Sequence, residues 1–214
     1  MNPTKPQVII FAAGYGTRLF PITKTIPKPL LNINGEAVIV RLIEKLQIAG
    51  YDDVIINVSY LFDKITSCLG DGSKYGIKIK YSYEIPQPLE TVGAIKFALQ
   101  NKLLKYDRPI ITISSDILTS YPFHKLTNLN FHNGHLVLVP NPKHNPKGDF
   151  SCYNGILGDN KDKYTYSGIG IFQPQYILEN GVSDKIGIVI KSSLKNCLLT
   201  AEVFKGQWKD IGIQ

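Results

Sequence analysis

The apolar positions of this chain switch between two periods. Val8-Ile-Ile-Phe11 reads as a buried strand, with Pro6 before it and glycine soon after it. Residues 37–49 then carry Val38, Leu42, Ile43 and Leu46 at helical spacing and stop at Gly50. Strand patterns recur at 53–60, 77–83, 109–115 and 136–140, with helical stretches at 62–69 and 90–104 between the first three of them. Strands that alternate with helices need crossover connections. The chain therefore predicts an α/β fold: a mainly parallel mixed sheet covered on both faces, a Rossmann-like three-layer sandwich. The second part is less regular. Residues 164–172 and 199–208 read as strands, and 174–179 and 184–196 as helices. The stretch 141–162, rich in Pro, Gly, Asn and Lys, holds at least one long loop. No repeat, low-complexity tract or linker divides the chain, so one domain is expected over residues 1–214.

The chemistry begins where the first strand ends. Phe11-Ala-Ala-Gly-Tyr-Gly-Thr-Arg18 follows it directly, and Lys28 comes ten residues later between Pro27 and Pro29. Gly14 and Gly16 allow a sharp turn and a close backbone approach to a ligand. Successive N–H groups in such a turn make an anion-binding concavity. Arg18 offers a planar fork that suits phosphate oxygens. The prolines restrict the backbone on either side of Lys28, which lowers the entropy lost when that lysine is positioned. The turn is not a Walker A loop, because no Gly-Lys-Ser/Thr ending is present. It is not a dinucleotide fingerprint either, because no third glycine follows at the required offset.

Asp116 follows the strand Ile110-Ile-Thr-Ile-Ser-Ser115, and in open α/β sheets ligands sit beyond such strand ends. Its carboxylate is expected in the same crevice as Arg18. A hard divalent cation, Mg²⁺, takes one or two carboxylates plus substrate phosphates, and Asp210 is the candidate for the second. Taken singly, Asp116 reads equally as a helix cap and Asp210 as a turn residue. The glycine turn and its two cations favour metal for both.

Composition changes this picture little. A 214-residue chain that is 43% hydrophobic can bury a full core. No apolar run reaches the length of a membrane span, and no apolar signal region precedes the first strand. Cys68, Cys152 and Cys197 are odd in number and scattered, which points to a reducing cytoplasm and away from disulfides or zinc. The net charge of +7 is nearly all lysine spread along the chain, with arginine only as Arg18, Arg41 and Arg108. That reads as a solvated surface suited to small anions, not as a nucleic-acid interface. The four histidines show no metal-ligand spacing and read as surface or loop residues.

Ala12-Ala-Gly-Tyr-Gly-Thr-Arg-Leu-Phe-Pro-Ile-Thr23 with Pro27-Lys-Pro-Leu30 resembles the signature of the sugar-1-phosphate nucleotidyltransferases. Leu89-Glu-Thr-Val-Gly-Ala-Ile95, Pro140-Asn-Pro-Lys-His-Asn-Pro-Lys-Gly-Asp-Phe150, Tyr166-Ser-Gly-Ile-Gly-Ile-Phe172 and Gly206-Gln-Trp-Lys-Asp-Ile-Gly212 are similar to the short bacterial N-acetylmuramate-1-phosphate uridylyltransferases and the mannose-1-phosphate guanylyltransferase-like subgroup around them. The resemblance covers nearly the whole chain. It implies transfer of a nucleotidyl group from a triphosphate, UTP first, to a sugar-1-phosphate, with Mg²⁺ as cofactor. It also implies the nucleotide-diphospho-sugar transferase fold, with the nucleotide handled by residues up to about 118 and the sugar by the remainder. Arg18 and Lys28 would be catalytic cations, and Asp116 and Asp210 the metal ligands. Ala12, Ala13, Gly14, Gly16, Thr17, Glu90 and Gly93 would bind the nucleotide. Asp149, Ser167 and Gly168 would face the sugar. Glu90 reads equally as a first-turn helix charge, and Asp149, Ser167 and Gly168 equally as loop and turn residues.

Two departures carry weight. Ser115 stands where the pattern usually has glycine before the metal aspartate. The sequence also ends four residues after Asp210, with Ile213 where the pattern has threonine, so Asp210 is expected on an untethered tail. Alternatives to UTP with N-acetylmuramate-1-phosphate are GTP with mannose-1-phosphate, CTP with phosphocholine, and a nucleotide-binding homologue without turnover. A monomer or weak homodimer is expected.

Overall fold

A computed structural model describes residues 5–180, 183–194 and 199–212. Strands β1 (Gln7–Phe11), β4 (Asp53–Val58), β5 (Lys78–Tyr83) and β6 (Ile110–Ser114) alternate with helices α1 (Val38–Ile48), α2 (Phe62–Leu69) and α3 (Glu90–Gln100). Between β1 and α1 lies a small hairpin of β2 (Asn32–Ile33) and β3 (Glu36–Ala37). After β6 come β7 (Ile117–Thr119), β8 (Gly134–Val139), β9 (Phe150–Tyr153), β10 (Ile156–Gly158) and β11 (Lys163–Phe172). Helices α4 (Pro174–Glu179) and α5 (Ile186–Ser193) precede β12 (Thr200–Val203) and β13 (Trp208–Asp210).

One nine-stranded sheet runs in the order β5-β4-β1-β6-β11-β8-β12-β10-β9. Its first four strands are parallel neighbours. Strand β11 enters antiparallel to β6 and to β8 and makes the sheet mixed. The period of two in each strand divides the apolar residues between the two faces. Val8, Ile10, Val54, Ile56, Ile111 and Ile113 join one core with Ile39, Leu42, Ile43 and Leu46 of α1. Ile9, Ile55 and Ile110 join the other with Val92, Ile95 and Ala98 of α3 and with α4 and α5. Three layers follow directly from that division.

The chain passes from β1 to β4 and β5 on one side, then to β6 on the other side of β1. The loops after β1 and β6 therefore diverge, and a crevice opens at this switch point. Phe11 is level with Asn57 on one side and Ser114 on the other, so all three strand ends reach the crevice floor together.

The stretch 141–162 holds the expected loop over residues 140–149, and the β9–β10 hairpin follows it, its short, half-exposed strands leaving little alternation to read in the sequence. The pattern-based expectations differ from the structure in three places. The run 199–208 is not one strand, because residues 204–207 break it and β13 leaves the main sheet to pair with β7. Asp210 is not on a loose tail. It ends β13 level with Ile117, and Ile211 N–H donates to Asp116 C=O at 2.9 Å. His135 is not a surface residue: it lies on β8, is 6% exposed, and meets Thr200 Oγ1 through Nδ1 at 2.9 Å. Cys68 and Cys152 are free thiols, whereas Cys197 and the end of the helix expected at 184–196 lie outside the described residues. Among the described residues no helix is long and apolar enough to cross a membrane.

Candidate active site

A cleft of about 510 Å³ opens at the switch point. Its walls are the turn after β1, Lys28 and Pro29, the ends of β4 and β6, and the segment that leads into α3. Of the sequence-expected residues, Ala12, Ala13, Gly14, Gly16, Thr17, Arg18, Lys28, Glu90 and Asp116 line it together.

The turn is held from within. Gly16 takes a left-handed φ of 65°, and its carbonyl accepts from the Thr23 hydroxyl at 2.8 Å. A Cβ there would sit 3.1 Å from Thr23 Cγ2, so shape and conformation both call for glycine. Gly14 differs: a Cβ would meet no atom within 4 Å, and its bare backbone leaves room on the cleft side. Arg18 lies on a single 3-10 turn, exposed at the cleft mouth, and no protein group among the described residues engages it. An unengaged guanidinium beside free backbone N–H groups is a ready anion clamp.

Lys28 opens another 3-10 turn, with Pro29 at its second position. Its ammonium makes a short ion pair with Asp116 Oδ2 and stands 3.7 Å from Asp210 Oδ1. All three side chains are largely shielded, at 11%, 23% and 20% exposure. The β7–β13 ladder brings the two carboxylates together, since Asp116 precedes β7 and Asp210 ends β13. Gly212 N–H donates to Asp210 Oδ1 at 2.6 Å, and a Cβ on Gly212 would collide with the Lys28 ammonium. Two carboxylates aimed at one cation from different strands are a donor set that suits Mg²⁺, which takes its other oxygens from water and phosphate. Among the described residues no three His, Cys, Asp or Glu side chains gather as a metal cluster.

Two buried polar side chains of the cleft were not foreseen. Asn57 and Glu84 line the cleft and are only 3% and 1% exposed. Ala12 N–H donates to Asn57 Oδ1 at 2.7 Å, Asn57 Nδ2 to Glu84 Oε1 at 2.8 Å, and Leu89 N–H to Glu84 Oε2 at 2.9 Å. Burial pushes the Glu84 carboxyl upward, and the bonds from Leu89 and Asn57 oppose that shift. The signal was available in Val-Ile-Ile-Asn-Val: a lone amide in a buried strand needs a partner.

Gly93 lies one turn into α3, where a Cβ would sit 3.1 Å from Leu89 Cβ and 3.6 Å from Asp184 Cγ. The segment that carries Asp184 closes over this helix start, and Val92 N–H donates to Asp184 C=O at 2.7 Å. Asp149, Ser167 and Gly168 are not among the cleft-lining residues. Asp149 Oδ2 accepts from Tyr166 N–H at 2.9 Å. The Ser167 hydroxyl donates to Val137 C=O at 2.6 Å, and its carbonyl accepts from Trp208 Nε1 at 3.0 Å. Gly168, with φ 82°, lies in the irregular part of β11 and backs onto Ser114.

Residues 7–150 match the nucleotidyl transferase family. The chain belongs to that family. It is 35% identical over 221 residues to N-acetylmuramate alpha-1-phosphate uridylyltransferase of Neisseria meningitidis, with 96% of this chain and 93% of that protein covered. It is 37% identical over 130 residues to mannose-1-phosphate guanyltransferase of Emericella nidulans, across 60% of this chain but only 35% of that protein. A solved Bacillus anthracis structure, described as a candidate glucose-1-phosphate thymidylyltransferase, superposes with a TM-score of 0.82 at 21% identity over 97% of this chain and 90% of that one. That likeness shows the nucleotide-diphospho-sugar transferase fold. The matched family segment ends at residue 150, so it covers the glycine turn, Lys28 and Asp116 but not Asp210.

Proposed function

We propose that this chain joins a nucleoside triphosphate, UTP, to a sugar-1-phosphate, N-acetylmuramate-1-phosphate, and releases pyrophosphate. The observation that carries the reaction type is the convergence of Lys28, Asp116 and Asp210 at a cleft whose mouth holds an unengaged Arg18. The choice of substrates rests on the 35% identity to the Neisseria uridylyltransferase over 96% of the chain.

A phosphate oxygen of the sugar-1-phosphate attacks the α-phosphorus, and the bond from that phosphorus to the bridging oxygen of pyrophosphate breaks. No protein nucleophile is required; positioning and charge neutralisation carry such transfers. Arg18 binds the β- and γ-phosphates and stabilises the leaving pyrophosphate. Lys28 neutralises the reacting phosphates. Asp116 and Asp210 would hold Mg²⁺, which would supply further charge neutralisation at phosphate oxygens. Backbone groups of Ala12, Ala13, Gly14, Gly16 and Thr17, with Glu90 and Gly93, bind the nucleotide. Asp149, Ser167 and Gly168 belong to the sugar side. Because the Ser167 hydroxyl is already spent on Val137 and the residue is buried, its part there is to support the sugar side from beneath.

Pyrophosphate release from UTP plus N-acetylmuramate-1-phosphate, with and without Mg²⁺, tests this directly. We expect release that needs both substrates and stops when the metal is chelated. Failure to release pyrophosphate across the four nucleotides and several sugar-1-phosphates, including mannose-1-phosphate, would overturn the reading. Release only from GTP with mannose-1-phosphate would retain the reaction and reassign its substrates.

A further inference from the structure

We propose that Asn57 and Glu84 are a polarity-matched positioning pair that sets the separation of the two walls of the nucleotide cleft. The inference rests on the nucleotide-binding part of the reading above.

Backbone N–H groups stand at both ends of the chain of contacts: Ala12 on the glycine-turn side and Leu89 at the entry to α3. Each can only donate. The Ala12 N–H fixes the Asn57 amide, with Oδ1 toward Ala12 and Nδ2 toward Glu84. Glu84 must then accept twice, from Asn57 at 2.8 Å and from Leu89 at 2.9 Å. A carboxylate does this and a carboxamide cannot: glutamine at 84 would turn its NH₂ onto one donor or the other. With both side chains at 3% exposure or less, water cannot repair the mismatch.

What the pair holds is a backbone that would otherwise relax. Leu89 is followed by Glu90, a non-glycine residue at φ 60° on the cleft wall. Such a conformation costs about 1 kcal/mol and persists where its surroundings over-determine it. The Glu84–Leu89 bond fixes it on one side, and the Val92–Asp184 bond on the other. Asn57 ties the same carboxylate to Ala12 and so links turn and helix entry across the ends of β1, β4 and β5.

The test exchanges the two polarities. In Asn57→Asp combined with Glu84→Gln, Asp accepts from Ala12 and from the glutamine NH₂, while the glutamine oxygen accepts from Leu89. Every donor again meets an acceptor, and one carboxylate remains. Either single substitution places like against like. We expect each single variant to weaken UTP binding by calorimetry about tenfold or more, the cost of one buried mismatch. Turnover at saturating UTP should fall far less than the rise in KM for UTP, because neither side chain touches Lys28, Asp116 or Asp210. The double variant should bind UTP to within about threefold of wild type, a residual of well under 1 kcal/mol. Folded single variants that bind UTP normally would overturn the proposal. So would a double variant that binds no better than the weaker single, or one that fails to fold. If wild-type protein binds no nucleotide at all, the proposed function itself fails, and the two failures are thereby told apart.

Discussion

The two halves of the sheet use polar residues in opposite ways. On the parallel side, β5-β4-β1-β6, Arg18, Lys28 and Asp116 gather past the strand ends and face a cleft, beside the internally satisfied Asn57–Glu84 pair. Arg18 is without a protein partner among the described residues, and Asp116 and Asp210 share one ammonium between them. On the antiparallel side, β11-β8-β12-β10-β9, the polar groups turn inward and meet each other. Ser167 is spent on Val137, Asp149 on Tyr166, and Tyr121 Oη donates to Glu202 Oε1 at 2.5 Å. Residues of the same chemical types therefore line an open cleft in one half and tie strands together in the other. Residual hydrogen-bonding capacity separates them, not residue identity.

That contrast is most exposed at Asp116. If the carboxylate belongs to a reaction site, Asp116→Asn should reduce kcat by about 10²–10³-fold, the size of effect seen for single electrostatic stabilisers. Its side chain is 23% exposed, so the amide can be accommodated. Stability should change little, and circular dichroism with thermal melts would show a folded protein. A variant with near-normal turnover would place Asp116 with the architectural carboxylates and break the contrast.

The expected opposite is Gly168→Ala in the antiparallel half. The φ of 82° disfavours any side chain, and a Cβ would lie 2.6 Å from Ser114 Oγ and 2.9 Å from Ser114 Cβ. We expect a loss of about 2–3 kcal/mol by chemical denaturation, from backbone strain plus a displaced β6 end. Unchanged stability would mean that the β11 irregularity is soft and that its glycine is there for the ligand.

How much of this could be read from the sequence follows the same division. The central strands and α1 were legible because both faces of each strand are buried, and the apolar runs are continuous. The glycine turn and Asp116 were legible because they lie within a few residues of those strand ends, and Lys28 because Pro27 and Pro29 frame it. Asp210 was legible as a residue type but not as a place. Its position depends on β7–β13 pairing, between strands of three residues each that are far apart in the chain. Asn57 and Glu84 went unseen for a related reason. Each looks like an isolated polar residue until the β4–β5 register sets Asn57 level with Ser82 and so brings Glu84, just past the end of β5, within reach of its amide. The β9–β10 hairpin was hidden by its exposed, short strands, and His135 by the assumption that a lone histidine is wet.

The smallest expected effect concerns that histidine's neighbour. The His135 imidazole, whose Nε2 is 3.9 Å from Glu202 Oε1, together with the Tyr121 hydroxyl and Lys125, outweighs burial and holds the Glu202 carboxyl at about 2, below its ordinary 4.5. A carboxyl with a depressed folded-state value stabilises the fold above its unfolded value and loses that contribution as pH falls toward the folded one. The contribution should therefore be complete above pH 4.5 and fade between 4.5 and about 2. Glu202 is 30% exposed, so solvent reduces the effect to about 1–2 kcal/mol. Denaturation midpoints across that window should fall less steeply in Glu202→Gln than in wild type, with turnover at neutral pH unchanged. The glutamine oxygen retains the acceptor for the Tyr121 hydroxyl, and its NH₂ takes the place of the oxygen that faces the exposed Lys125, so the main loss is the charge. Parallel acid limbs in the two proteins would show that the charge of this inward-facing network contributes nothing and that hydrogen bonding alone maintains the antiparallel half.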